Sequence, residues 1–309
     1  MRGVLVVNPK ATATSARTRD VLVHALAAEH DIEVVETADR GHAYELGRLA
    51  RAEGAEVVVT LGGDGTVNEV VNGMLAEGGP GHDVPALATV PGGSANVFPR
   101  SLGLPGDPVE ATGILLEGLR EKRERVIGLG RVDQRWFLFN AGLGLDAEII
   151  HAMERKRADG KRATPSRYLR TTLAEFFTAT DRREPALTLL RPGLEPVPGH
   201  FLAIVQNASP WTFLGPWPVD PCPRASYDTG LDLFAPRTLS VLPALRYSRR
   251  MVMHSRAGST RRGLTALHDQ VEFGFETARP VSLQVDGEGL GPVHRVEFRS
   301  VPAALRVVV

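Results

Sequence analysis

The stretch Leu61-Gly62-Gly63-Asp64-Gly65-Thr66-Val67-Asn68-Glu69-Val70 decides how the rest of the chain is read. It closes an apolar run at residues 57–61, which has the character of a buried strand. It then opens a segment with Val67, Val70, Val71, Met74 and Leu75 at helical spacing. A strand that breaks on glycines and passes directly into a helix is the local form of a parallel α/β sheet. Outward from it, residues 4–7, 32–36 and 86–90 read as strands. Residues 17–29 and 42–53 read as helices, with Val21, Leu22, Ala25 and Leu26 on one face of the first and Leu46, Leu49 and Ala50 at helical spacing in the second. The β-α-β-α-β-α-β order predicts a doubly wound parallel sheet.

After about residue 123 the rhythm changes. Residues 125–131, 136–139, 187–190, 201–205, 231–234, 271–275 and 281–285 read as strands separated by Gly/Pro-rich turns. They predict an antiparallel, sandwich-like second domain, with helical patches near 145–180 and 240–257. The last segment alternates Val296 and Phe298 with Arg295, Glu297 and Arg299, then ends in an apolar run at 305–309.

The chain has 309 residues, long enough for two domains, and 43% hydrophobic with 23% charged residues marks an ordinary folded protein. Lys+Arg and Asp+Glu balance at 36 each, which removes a global-charge argument for nucleic acid. The single cysteine, Cys222, excludes an intrachain disulfide and a Cys-rich zinc site. No uncharged stretch has the composition of a membrane span, and the first residues carry too short an apolar run for a signal peptide, so a soluble cytoplasmic protein is expected.

Open parallel sheets bind ligands beyond the carboxyl ends of their strands. The residues at those positions are Asn8, Pro9 and Thr12; Thr37; Gly62, Gly63, Asp64, Gly65 and Thr66; and Pro91-Gly92-Gly93-Ser94-Ala95-Asn96. All four loops are small, polar or glycine-rich, as a phosphate-bearing ligand requires. Glycines let backbone N–H groups approach phosphate oxygens, and the following helix adds the positive end of its dipole. A carboxylate among such glycines repels phosphate unless a cation intervenes, so Asp64 suggests Mg²⁺. The structural alternative is a tight turn with Thr66 and Glu69 as a T-x-x-E capping box. There is no G-x-x-x-x-G-K-[ST], and Gly142-Leu143-Gly144 lacks the third glycine of a dinucleotide fingerprint.

Residues 61–70 resemble the signature of the diacylglycerol kinase catalytic-domain family, which includes bacterial lipid kinases and sphingosine kinases. Gly93-Ser94-Ala95-Asn96-Val97-Phe98-Pro99-Arg100 resembles its second loop. Asn140 to Ala147 (NAGLGLDA), Gln206-Asn207, Pro223 to Asp232 and Asp286-Gly287-Glu288 resemble its later blocks, in order along nearly the whole chain. The GGDGT core alone is shared with NAD kinases, whereas the later blocks match lipid kinases better.

The resemblance implies a nucleotide-binding α/β domain (1–124 and 292–309, the last strand returning) and a β-sandwich lipid-substrate domain (125–291). It implies ATP and Mg²⁺ as cofactors, with ATP between the domains and a lipid hydroxyl as acceptor, diacylglycerol first and a sphingoid base or other lipid alcohol second. Asn8, Pro9, Thr12, Thr37, Gly62, Gly63, Asp64, Gly65, Thr66, Asn68, Glu69, Gly93, Ser94 and Asn96 are the implied nucleotide-side residues. Asp286 is the implied general base with Glu288 beside it, and Asp64, Asp228 and Asp232 are implied metal ligands. Read from the residues alone, Asp286-Gly287 is a hairpin turn, and Asp228 and Asp232 are turn residues around Gly230.

Val97 stands where many relatives carry an aspartate, and valine cannot hold a metal-bound water; a catalytically silent nucleotide- or lipid-binding regulator is the reading this motivates. Basic segments at 155–170 and 237–262 are expected to meet anionic lipid at a membrane surface, making the protein peripherally membrane-associated. The sequence leaves a homodimer open.

Overall fold

The computed structural model describes residues 2–11, 15–28, 31–144, 184–214, 217–240, 247, 251 and 263–309. The expected helical patches at 145–180 and 240–257, and both basic segments apart from residues 237–240, 247 and 251, lie outside the described residues, as does Thr12. The chain divides into two compact units, Met1–Leu129 with Pro302–Val309, and Gly130–Val301.

The first unit runs β1 (Arg2–Val7), α1 (Ala16–Ala28), β2 (Asp31–Glu36), α2 (His42–Ala52), β3 (Val57–Gly62), α3 (Asp64–Met74), β4 (Ala86–Pro91), α4 (Val97–Ser101) and α5 (Pro108–Glu121). Its strands are parallel in the order β4-β3-β1-β2. Strands β3 and β4 are buried along their whole length, which is why they read as continuous apolar runs. Strand β2 is the edge and is mostly exposed, with Asp31, Glu33 and Glu36 blunting it. The core gathers Leu5, Val7, Leu22, Leu26, Val57, Val59, Leu61, Ala88, Val90, Leu115 and Leu119. Helices α2 and α3 cross in backbone contact: a Cβ on Gly73 would collide with the Tyr44 carbonyl, and one on Gly47 with that of Val70. Helix α5 starts on Asp107, whose carboxylate accepts from the amides of Val109 and Glu110, with Pro108 as first residue.

The apolar end of the chain completes this unit. Val307 pairs in parallel with Leu87 of β4, and Leu305, Val307 and Val308 are buried. Arg306 bridges Glu124 at 3.1 Å and donates to the Val84 carbonyl at 2.8 Å. Gly118 of α5 leaves room for this segment, since a Cβ there would lie 2.9 Å from Val308.

Strand β5 (Glu124–Val132) leads into the second unit, whose strands are β6 (Arg135–Phe137), β7 (Asn140–Leu143), β8 (Leu187–Leu190), β9 (Val197–His200), β10 (Ala203–Gln206), β11 (Thr212–Leu214), β12 (Trp217–Val219), β13 (Leu231–Pro236), β14 (Leu264–Gln270), β15 (Glu272–Val285) and β16 (Glu288–Val308), the last carrying the chain back. All pairings here are antiparallel, through β14-β13-β10-β7-β15-β16, with β8 added to β15 and β9 to β8. The two runs expected at 271–275 and 281–285 form one strand, β15, with a register shift between Glu276 and Val281 that spans Pro280. Phe273 stacks on Phe298 at 5.5 Å, and Phe137 and Phe275 meet Phe298 edge-on at 6.4 Å, in a core with Leu143, Val205, Leu233 and Val285.

His200 is fully buried at the end of β9, 2.8 Å from the Thr265 hydroxyl and edge-on to Phe275. Burial, with Arg237 adding to it, lowers its pKa from 6.5 to about 4. The native state therefore holds this imidazole neutral where the unfolded chain protonates it. Stability from this source is complete above pH 6.5 and is lost as pH falls from 6.5 towards 4, a change on the order of 2–3 kcal/mol. Urea unfolding of wild type and His200→Gln at pH 7 and pH 4.5 checks this. The variant loses less stability between the two values, and an equal loss in both proteins would show that His200 does not carry it.

Candidate functional site

The first unit brings its two glycine loops together backbone to backbone. The Gly92 amide donates to the Gly62 carbonyl at 2.7 Å. A Cβ on Gly93 would lie 2.7 Å from the Gly63 Cα, and one on Gly92 would lie 3.0 Å from the Gly62 backbone. These glycines are required by packing within the protein. Gly65 is different. It sits exposed in the first turn of α3 with ordinary helical backbone, and a Cβ there would meet nothing within 4 Å. Glycine costs a helix about 1 kcal/mol relative to alanine, and packing around Gly65 does not require one there.

Asp64 bridges the loops. Its carboxylate accepts from the amides of Val97 and Phe98, each at 3.0 Å, and so caps α4 from another segment. Asn96 makes no side-chain cap. It lies at φ 49, and its amide group closes the second loop on Gly93, at 2.8 Å to the N–H and 2.9 Å to the carbonyl. Val97 is buried, and its contribution is the backbone amide that holds Asp64. Ser94 is exposed at the tip of this loop.

Asn8 donates to the Thr66 hydroxyl at 3.0 Å and accepts from the Lys10 amide at 2.9 Å, so the first loop is tied to the third. The Pro9 carbonyl accepts from Arg19 at 3.1 Å, and the Thr37 amide extends the ladder onto Val7 at 2.8 Å.

Two expectations at this edge are corrected. The Thr66/Glu69 capping box does not form, because α3 begins at Asp64 with Gly63 as N-cap, three residues earlier than the box requires. Glu69 accepts instead from the Gly41 amide, 3.0 and 3.1 Å from its two oxygens, at the start of α2 where Gly41 is left-handed at φ 87. Asn68 is 1% exposed and its side chain is held by Asn72 at 3.1 Å, so it stands inside the fold and not at the loop surface. A residue that sequence reading passed over is Arg100. Burial pushes its guanidinium below the usual arginine range, and the Asp64 charge opposes that push. Its place at the end of the segment 93–100, directly after the second glycine loop, was the available signal.

In the second unit, Asp286 and Gly287 form a two-residue hairpin loop between the paired Val285 and Glu288, at φ 48 and 83, which suits an Asp-Gly type I′ turn. The Asp286 carboxylate is 4% exposed and accepts from three successive amides: Leu138 at 2.7 Å, Phe139 at 3.0 Å and Asn140 at 3.1 Å. Hairpin turn and oriented carboxylate are thus both properties of this residue. Glu288 pairs with Arg135 at 3.0 Å.

The implied metal ligands separate into two cases. A Mg²⁺ carried by nucleotide phosphates needs only one or two protein carboxylates, and Asp64, half-buried at the loop edge, fits that role. Asp228 and Asp232 stand differently. Asp228 is exposed in a turn, whereas Asp232 is buried on β13 with one oxygen spent on His268 at 2.7 Å and the Asp269 amide at 3.1 Å. Among the described residues no three His, Cys, Asp or Glu side chains assemble as a ligand set. Burial raises the Asp232 pKa while the Asp269 amide and His268 counter it.

Residues 2–131 match the sequence model of the Diacylglycerol kinase catalytic domain. The match covers less than half of the chain. Curated relatives agree: a YegS-like lipid kinase of Chromohalobacter salexigens is 34% identical over 148 residues, 48% of this chain and 45% of that protein. A diacylglycerol kinase of Staphylococcus carnosus is 31% identical over 137 residues, 44% and 42% respectively. The match therefore spans less than half the length of these relatives. In fold the likeness extends further. The crystal structure of a diacylglycerol kinase from Bacillus anthracis Sterne superposes with a TM-score of 0.73 at 19% identity, covering 99% of this chain and 96% of that one.

The glycine contrast is testable. Gly65→Ala should leave the melting temperature unchanged or slightly raised while weakening nucleotide binding at least tenfold by calorimetry. Gly93→Ala should lower the melting temperature by several degrees. Equal melting losses in both variants would remove the distinction.

Proposed function

We propose that the chain is an ATP- and Mg²⁺-dependent lipid kinase that phosphorylates a lipid hydroxyl, with diacylglycerol as the acceptor. The observation that carries this reading is the first unit's loop edge, where an exposed helical glycine with open space before it adjoins an aspartate-bridged pair of glycine loops. Backbone amides there would hold phosphate oxygens, with the N-terminus of α3 adding its dipole. Asp64 would orient a phosphate-borne Mg²⁺, which neutralises the oxygens of the transferred group. Arg100, beside Asp64, would add positive charge at the same edge.

Asp286 would take the proton of the acceptor hydroxyl. Three amides fix its carboxylate in direction, as a positioned base requires. The named relatives, a lipid kinase and a diacylglycerol kinase, supply the acceptor class. Among the described residues no helix is long and apolar enough to cross a membrane, so we propose that the protein meets its lipid at the membrane surface.

The test is transfer from γ-labelled ATP with Mg²⁺ to mixed micelles containing diacylglycerol, a sphingoid base or no lipid. We expect labelled phosphatidic acid, and a fall of roughly 10²–10⁴-fold in kcat for Asp286→Asn with nucleotide binding retained. Gly65→Ala is the better nucleotide-side control, because Asp64 also caps α4 and its replacement disturbs the loops. Nucleotide binding without any labelled lipid would replace the kinase with a nucleotide-binding regulator.

A further inference from the structure

Gln284 and Asn140 form a buried amide pair beside the Asp286 turn. Gln284 is fully buried and Asn140 is 4% exposed. The Gln284 side chain donates to the Asn140 Oδ1 at 2.8 Å and accepts from the Gly287 amide at 2.9 Å. Asn140 in turn donates its side-chain amide to the Trp211 carbonyl at 2.9 Å. Its backbone exchanges two bonds with Asp286, one from its own N–H to the carboxylate and one from the Asp286 N–H to its carbonyl at 2.8 Å. Each amide orientation is forced: turning over either side chain would set donor against donor or oxygen against oxygen.

An Asp-Gly hairpin needs no such help, since its residue types already favour the turn. Burying two side-chain amides is unfavourable unless every bond is made. What the pair adds is direction. It fixes Gly287 on one side of Asp286 and Asn140 on the other, and so fixes the amides that aim the carboxylate. We propose that Gln284 and Asn140 are positioning residues that hold the Asp286 carboxylate in its proton-accepting direction; this rests on the reading of Asp286 as general base. Neither residue touches the reacting atoms in this scheme.

Two variants at one position test it, with ATP and diacylglycerol micelles as substrates. Gln284→Met keeps the volume and removes both bonds. Gln284→Glu keeps the acceptor for Gly287 but, when ionised, faces the Asn140 oxygen with a second oxygen. We expect both to lower kcat at pH 7.5 by roughly 10–100-fold, with KM for ATP within twofold and both variants still folded at the assay temperature. Protonation restores a donor only to the glutamate, and burial raises its pKa. The ratio of Gln284→Glu to wild-type kcat should therefore rise as pH falls from 7.5 to 5.5, while the Gln284→Met ratio stays flat. A merely structural role predicts losses that follow the folded fraction, with no recovery confined to the glutamate, and that result would overturn the proposal. Unchanged kcat in both variants, with Asp286→Asn still inactive, would overturn it while sparing the base. Full activity in Asp286→Asn would remove the base itself, and the positioning role with it.

Discussion

Everything at the ligand edge of the first unit depends on one close approach, that of the backbone at Gly62 and Gly63 to the backbone at Gly92 and Gly93. A side chain on Gly92 or Gly93 would press on the backbone of Gly62 or Gly63 and force the two loops apart. With the loops in contact, Asp64 can reach the amides of Val97 and Phe98, and α4 acquires a cap that its own Asn96 does not give. Asn8 joins the same assembly through Thr66. Three segments distant in sequence are thereby fixed in one small region by backbone groups and short polar side chains. Such a region has few rotamers left to order when a ligand arrives.

The two units place their carboxylates by the same means. Asp64 and Asp286 each receive successive backbone amides from a segment elsewhere in their own unit, at 97–98 and at 138–140. Hydrogen bonds from amides favour the ionised carboxylate and fix its direction without a charged partner. Arginine or lysine partners would fix direction too, at the cost of occupying the space and charge that a phosphoryl group needs. Where this chain does pair a carboxylate with arginine, as in Glu288 and Arg135, the pair stands one residue beyond the turn.

Much of this was legible in the sequence because it rests on local signals. Fully buried parallel strands leave unbroken apolar runs, so β3 and β4 could be read directly, and the Asp-Gly turn was plain from residue type. The exchange of partners by Glu69 was not legible, because helix α3 starts three residues earlier than its capping pattern suggests and only the crossing of α2 brings Gly41 within reach. The surroundings of Asp232 were hidden for a similar reason. Spacing along a turn says nothing of His268, which arrives from the neighbouring strand and takes one carboxylate oxygen. The joining of 271–275 to 281–285 as one strand was hidden by Pro280, which interrupts the ladder without ending it. Gln284 carried no signal at all, since a lone glutamine in a strand is ordinary until its neighbours are known.

The last strand has a consequence for how the protein comes into being. Leu87 meets Val307, and Gly118 leaves its space for Val308, so the core of the first unit contains residues made at opposite ends of synthesis. A domain emerging from the ribosome ordinarily closes once its own sequence has cleared the exit. Here the first unit must wait, one flank of β4 uncovered, until the whole of the second has been translated. The unit that is encoded first is thus finished last, and between those moments a long apolar strand edge must be kept from other chains.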